Sequence, residues 1–256
     1  MAMRDEMEGV GTWLFRSRSY LPIPVLLLLL ITLRDPVLHG NVRGVHVWDV
    51  VSLLVGLAGL AVRCLSLGYA ADGTSSRRTR DLVTGGLNTT GMYSVVRHPL
   101  YLGNYLLWMG PTLFCRSLPL AVIVTLVFWL YYERIMLAEE QQLRSQFGES
   151  FEQWAKNTPA FVPRLSQWRA PNSSFHAHKV VLSESTSLLA LMTVLLCFEL
   201  LVNLAFTGSV IVGEWWLYPS AVTIAIALYA RIYKMLRRRA NRLAALAAVL
   251  TQEQLS

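Results

Sequence analysis

Tyr93-Ser94-Val95-Val96-Arg97-His98-Pro99-Leu100-Tyr101-Leu102-Gly103 opens one apolar helix, and the next apolar helix runs out into Glu139-Glu140. Only Arg116-Ser117, with Cys115 and Leu118 at their flanks, separate the two, and Pro119 suits the first turn of the second helix. So short a connection predicts an antiparallel helical hairpin. Counted back from that turn at about 1.5 Å per residue, His98 lies roughly 26 Å down one arm and Glu139 roughly 30 Å down the other. Both motifs are expected at the same end of one hairpin.

Composition places that hairpin in a membrane. The chain is 54% hydrophobic and only 15% charged, with mean hydropathy +0.42, too apolar for a soluble domain of 256 residues. Apolar runs at about 20–38, 48–70, 99–115, 118–137, 186–207 and 214–234 each approach the roughly 20 residues a bilayer requires. The expected fold is all-α, a multi-pass bundle of about six transmembrane helices. The first run ends at Arg34-Asp35-Pro36 with no small-residue cleavage site after it, and reads as an uncleaved helix.

The net charge of +7 raises the question of nucleic acid, and its distribution answers it. With six spans and a cytoplasmic N-terminus, 19 Lys and Arg fall on the cytoplasmic side and 3 on the other, with Arg63 inside a span. The positive-inside rule accounts for that asymmetry without a nucleic-acid partner. Both termini are expected to be cytoplasmic, in a bacterial inner membrane or the endoplasmic reticulum. The cluster from Arg231 to Arg242 has this topological reading, with anionic lipid heads as an additional one. Cys64, Cys115 and Cys197 sit in or beside apolar spans at no metal-ligand spacing, so neither a disulfide nor a metal site is expected. Asn88-Thr89-Thr90 and Asn172-Ser173-Ser174 match the glycosylation sequon but fall on the cytoplasmic side, as chance matches.

Three regions follow: N-terminal membrane helices to residue 70, a core over 71–184, and C-terminal membrane helices with a basic cytoplasmic helix over 185–256. Residues 71–98 form a polar loop long enough to fold over a site. Residues 138–184 begin helical and break at Pro159, Pro163 and Pro171.

Within the core, helical continuation past residue 137 puts Met136, Leu143, Phe147, Phe151 and Trp154 on one stripe, with Glu140 near its centre and Glu139 at its edge. Glu140 therefore reads either as a carboxylate held inward for a cationic ligand or as an exposed residue or a structural partner of Arg97. Arg134 points the opposite way, toward lipid phosphates. On the other arm, Pro99 starts the helix, and the amides ahead of it are expected to be free to meet an anion. Arg97 and His98 add side-chain donors there, or mark topology alone. Tyr101 either stacks on a flat ring or belongs to the interfacial aromatic belt. Gly103 and Gly110, seven apart, allow close helix packing. Carboxylates and Arg/His together suit a small zwitterion.

Arg-His-Pro-x-Tyr-x-Gly, a short helical hairpin, then Glu-Glu-x-x-Leu-x-x-x-Phe-Gly with an aromatic and a proline beyond, resembles the integral-membrane methyltransferases that include isoprenylcysteine carboxyl methyltransferase and the phospholipid N-methyltransferases. The resemblance covers roughly residues 80–165. It implies a helical bundle whose cytoplasmic end encloses S-adenosylmethionine, with a membrane lipid or lipidated acceptor entering from the bilayer. Carried over by motif, it puts His98, Tyr101, Gly103 and Glu140 at the cofactor, with Arg97 and Glu139 beside them as catalytic candidates. The chain departs from the eukaryotic prenylcysteine enzymes in carrying Leu130-Tyr131-Tyr132-Glu133-Arg134 where they have several arginines, and in its two added C-terminal spans. A soluble methyltransferase is not expected, because Gly85-Gly86 lacks the third glycine and the strand of a dinucleotide-binding turn. Two other classes stay open: a sterol-reductase-like enzyme using NADPH, with Arg77, Arg78 and Arg80 on the nucleotide phosphate, and a transporter or channel, suggested by Arg63, Glu199 and Asn203 within spans. Arg63 and Glu199 are also placed to pair across the bundle.

Overall fold

The computed structural model describes residues 10, 13–14, 22–32, 45–70, 86–210 and 212–255. Its helices are α1 (Pro22–Thr32), α2 (Val45–Gly68), α3 (Met92–Val95), α4 (Pro99–Phe114), α5 (Leu118–Phe147), α6 (Glu149–Asn157), α7 (Ala177–Thr207) and α8 (Leu217–Leu255), with 3-10 turns at Leu165–Gln167 and Glu214–Trp216. No strand occurs among the described residues, in line with the all-α expectation. Three helices, Val47–Gly68, Leu118–Phe147 and Ala177–Thr207, are long and apolar enough to cross a membrane.

The α4–α5 hairpin forms as its short connection requires, but its turn is not relaxed. Arg116 takes φ 53°, a left-handed conformation that costs a side-chain-bearing residue energy. Its guanidinium lies 3.6 Å from Asp49 of α2, a carboxylate buried to 1% exposure, so an arginine in the turn has a charge to meet that glycine lacks. Ser117 then caps α5, its hydroxyl accepting from the Leu120 N–H.

Helix α2 crosses α4 at near backbone contact. A Cβ on Gly59 would lie 2.6 Å from the Gly103 carbonyl oxygen, and one on Gly110 would lie 3.0 Å from the Ser52 carbonyl oxygen. The expected packing role of Gly103 and Gly110 is met, with Gly59 and Gly56 as their counterparts. At one level of the bundle α1, α4, α7 and the 3-10 turn at Glu214–Trp216 share a core of Leu29, Phe114, Leu191, Leu195, Phe198 and Trp216. Along α5 the buried Val124, Phe128, Tyr132, Ile135 and Met136 recur at helical spacing, while Leu126 and Leu130 on the other faces are exposed, as a lipid-facing surface requires.

Two expectations change. Helix α5 stops at Phe147, where Gly148 turns with φ 50°, so Phe151 and Trp154 belong to a separate helix and the single stripe is broken there. Helix α7 starts at residue 177, about two turns before the expected span. Residues 1–9, 11–12, 15–21, 33–44, 71–85, 211 and 256 lie outside the described residues, and with them Arg77, Arg78 and Arg80.

Candidate functional site

The two ends of the hairpin meet. His98 caps α4, its carbonyl accepting from the Tyr101 and Leu102 N–H groups, and its ring reaches α5 with Nε2 3.0 Å from Glu140 Oε1 and Nδ1 3.6 Å from Glu139 Oε2. Arg97 reaches the same carboxylate, Nε 2.9 Å from Glu140 Oε1, and donates a second guanidinium N–H to the Ala155 carbonyl at 2.8 Å. The His98 side chain is 4% exposed, Glu140 16%, Arg97 19% and Glu139 39%, so the cluster is sealed on the His98 side and open on the Glu139 side. Burial by itself would lower the His98 pKa. Hydrogen bonding and charge from Glu139 and Glu140 outweigh it and hold the imidazole above its ordinary value. A protonated imidazole there donates from Nε2 to Glu140 and turns its charged Nδ1–H toward Glu139 at ion-pair distance.

The backbone that presents Arg97 and His98 is fixed by the proline-containing segment after α6. The Arg97 N–H donates to the Pro159 carbonyl at 2.8 Å, the His98 N–H to the Ala160 carbonyl at 3.2 Å, and the Arg164 N–H to the Val95 carbonyl at 2.9 Å. Trp154 Nε1 donates to the Tyr93 carbonyl at 3.1 Å. The amides ahead of Pro99 are therefore engaged by protein carbonyls, not left for an anion, which corrects the expectation above. Prolines 159 and 163 suit an extended strap that offers carbonyls and lacks its own amide donors at those positions. The strap's role was not read from the sequence. Its prolines signal breaks but do not say which backbone the freed chain will lie against.

Tyr101 lies one turn into α4 with its ring stacked on His98 at 5.7 Å between centroids and packed against Tyr132 of α5 at 5.1 Å. Tyr132 continues an aromatic layer through Phe128, stacked at 4.0 Å, to Trp108, Tyr105 and Phe161. Gly103 faces α2: a Cβ there would come 2.5 Å from Arg63 Cγ. Of the six residues singled out, the structure brings Arg97, His98, Tyr101, Glu139 and Glu140 into one cluster and sets Gly103 behind it as the seat of Arg63.

Behind that seat runs a buried polar chain that sequence reasoning assigned differently. Arg63 pairs with Glu184 of α7 and not with Glu199: Nε and Nη2 each lie 2.7 Å from a carboxylate oxygen, a bidentate geometry. Its third nitrogen donates to Asn104, whose amide donates to the Tyr132 hydroxyl at 3.3 Å. Glu199 instead accepts from Asn203 one turn along α7. The Arg63–Glu184 pair thus ties α2 and α7 to the aromatic layer beside His98. Helix period alone distinguishes Glu184 from Glu199 poorly, since both face inward on α7.

Residues 68–150 match the family model described as phospholipid methyltransferase. The chain is 34% identical over 152 residues to the nickel-cobalt-cadmium resistance protein NccN of Alcaligenes xylosoxydans xylosoxydans, covering 59% of this chain and 65% of that one. It is 34% identical over 137 residues to the cobalt-zinc-cadmium resistance protein CzcN of Cupriavidus metallidurans, covering 53% and 61%. It is 33% identical over 91 residues to the protein-S-isoprenylcysteine O-methyltransferase of Schizosaccharomyces pombe, covering 36% and 37%. The chain thus spans less than two thirds of the length of these relatives. No solved structure matches it significantly. Motif and matches agree: through residues 68–150 the chain resembles the integral-membrane methyltransferases that include the isoprenylcysteine carboxyl and phospholipid methyltransferases.

Proposed function

We propose that this chain is an integral-membrane, S-adenosylmethionine-dependent methyltransferase acting on a lipid or lipidated acceptor. The observation that carries the reading is the meeting of Arg97, His98, Glu139 and Glu140 at one end of the hairpin, within the matched core. The donor set fits the amino-acid end of the cofactor. Glu140 and the more open Glu139 suit an ammonium, while Arg97 and protonated His98 suit a carboxylate. Tyr101, already stacked on His98, offers a ring face to a flat base. Gly103 contributes through packing, by letting α4 close on α2.

The cofactor, when bound, supplies an electrophilic methyl group on a sulfonium sulfur. This chain's part is to hold, orient and dehydrate. Arg97 and His98 share one carboxylate and so hold each other in place. An acceptor that is already a carboxylate or phosphate needs positioning near 3 Å and no base. For an amine acceptor Glu139, the more exposed acid, is placed to take the proton. The lipid-facing side of α5 leaves the hairpin open to the bilayer for entry.

The proposed topology has about six spans, with both termini and the cofactor end cytoplasmic. The functional core is residues 71–184, and α7 runs unbroken from it into the C-terminal membrane region, 185–256. The relatives named for metal resistance describe those proteins. The test is incubation of purified protein in native lipid extract with methyl-labelled S-adenosylmethionine. A labelled lipid formed by the wild type and not by Glu140→Gln is expected. Saturable NADPH binding with no response to S-adenosylmethionine would reject the reading in favour of a reductase.

A further inference from the structure

We infer that the groove where α7 meets α8 binds an anionic phospholipid, phosphate on Arg231, Lys234 and Arg238 and one acyl chain in the cavity beside them. This inference does not rest on the methyl-transfer reading.

Helix α8 carries Arg231, Lys234, Arg238 and Arg242 along one face, with Arg237 and Arg239 adjoining, and all six are exposed. No acid occurs from residue 217 to 252, and among the described residues none of the six has an ion pair or hydrogen bond within the protein. Like charges at i,i+3 and i,i+4 repel, so the helix carries this face at a cost that an anion removes. The positive-inside rule explains which side of the membrane the cluster occupies. It does not explain why Arg231 and Lys234 stand at the mouth of an apolar cavity.

That cavity, about 340 Å³, lies between the helices and is lined mainly by Leu189, Ile224, Ala227 and Leu228, with the hydroxyls of Ser185 and Thr186 and the cations Arg231 and Lys234 also on its wall. The same two cations line a second groove, about 380 Å³, formed with Arg238 and Arg242 further along α8. His178 packs edge-on against Tyr233 at 4.3 Å and holds the two helices together at this level. A cation-lined groove that shares Arg231 and Lys234 with a mainly apolar cavity matches a molecule with a phosphate at the head and hydrocarbon below it. Free phosphate uses only the first part, and a zwitterionic lipid brings its own ammonium against six cations.

The experiment is a native mass-spectrometric titration of the detergent-purified full chain with phosphatidylglycerol and, separately, phosphatidylcholine. Phosphatidylglycerol is expected to bind saturably and about tenfold more tightly. Joint Arg231→Gln and Lys234→Gln substitution is expected to remove that preference. Ala227→Trp keeps every cation and fills the cavity, and is expected to weaken binding about as much, with Ala227→Ile as the milder variant if the first misfolds. Equal binding of the two lipids would overturn the inference, as would displacement by millimolar inorganic phosphate, which would mark a phosphate site only. Unchanged phosphatidylglycerol binding in the folded Ala227 variant would overturn the acyl pocket, leaving diffuse charge attraction.

Discussion

Arg63 and Arg97 each meet a glutamate, and the two pairs differ in what surrounds them. Arg63 is 11% exposed and Glu184 3%, the contact is bidentate, and the third guanidinium nitrogen is taken by Asn104, so the arrangement is closed and balanced. Around Arg97, two acids share one arginine and one histidine, and Glu139 stays 39% exposed. A closed pair holds helices in place, whereas a more open cluster suits the ligand proposed above. Position along the chain teaches the same. Arg63 and Glu184 are 121 residues apart and bind α2 to α7, while His98 and Glu140 are the two ends of one hairpin.

The sharpest way to break this contrast is to remove one partner of the closed pair. Arg63→Ala or Glu184→Ala is expected to cost about 3–5 kcal/mol of stability, because the remaining charge stays buried and uncompensated. Thermal unfolding in detergent reads the loss. An Arg63→Met, Glu184→Leu double variant is expected to recover most of it, and a double variant as unstable as the singles would show that the pair is not the source.

In the open cluster the larger effect falls on ligand affinity and the smaller on the fold. Glu140→Gln and His98→Ala are each expected to weaken S-adenosylmethionine binding by about 1.5–3 kcal/mol, the worth of a hydrogen bond to a charged group. Calorimetric titration measures it. Near-wild-type binding by a folded Glu140→Gln protein would remove this cluster from the cofactor site.

Gly103 separates seat from site. Gly103→Ala is expected to cost about 1–3 kcal/mol by overpacking against Arg63 and the Gly59 carbonyl. Cofactor affinity per folded molecule should stay within a few-fold. Loss of affinity without loss of melting temperature would instead put Gly103 against the cofactor.

The His98 pair also has a pH signature. Its folded pKa is raised above 6.5, so the stability it contributes is fully present below that value and is lost as pH rises through the higher folded pKa. The melting-temperature penalty of His98→Asn is therefore expected to be largest near pH 6 and to shrink toward alkaline pH. A penalty that grows with pH would mean that the imidazole is held neutral. The smallest effect belongs to Arg134→Ala, expected within about ±0.5 kcal/mol in stability and within a few-fold in cofactor affinity. A larger loss would move the site to the other face of α5.

Helical periodicity and a two-residue turn were enough to bring His98 and Glu140 to one end of the hairpin, because helix rise is constant and the turn leaves no freedom in pairing. The same logic covers the glycine contacts of α4, since small residues seven apart lie on one face. It stops where contacts depend on chain that has no period. The strap over 158–169 takes the Arg97 and His98 amides through backbone carbonyls, which every residue carries alike. The Gly148 break ends a stripe that apolar spacing alone continues.

By itself, then, the sequence determined the class of the molecule, its hairpin and which acids and bases the hairpin would gather, since these follow from composition and from distances along one helix. Only the tertiary structure decided that Glu184 and not Glu199 answers Arg63, that Gly103 packs against that arginine, and that Arg231 and Lys234 stand at the mouth of a cavity. Each of those depends on the rotation and depth at which separate helices meet. Many positions on a helix face satisfy the period, and packing in three dimensions selects among them.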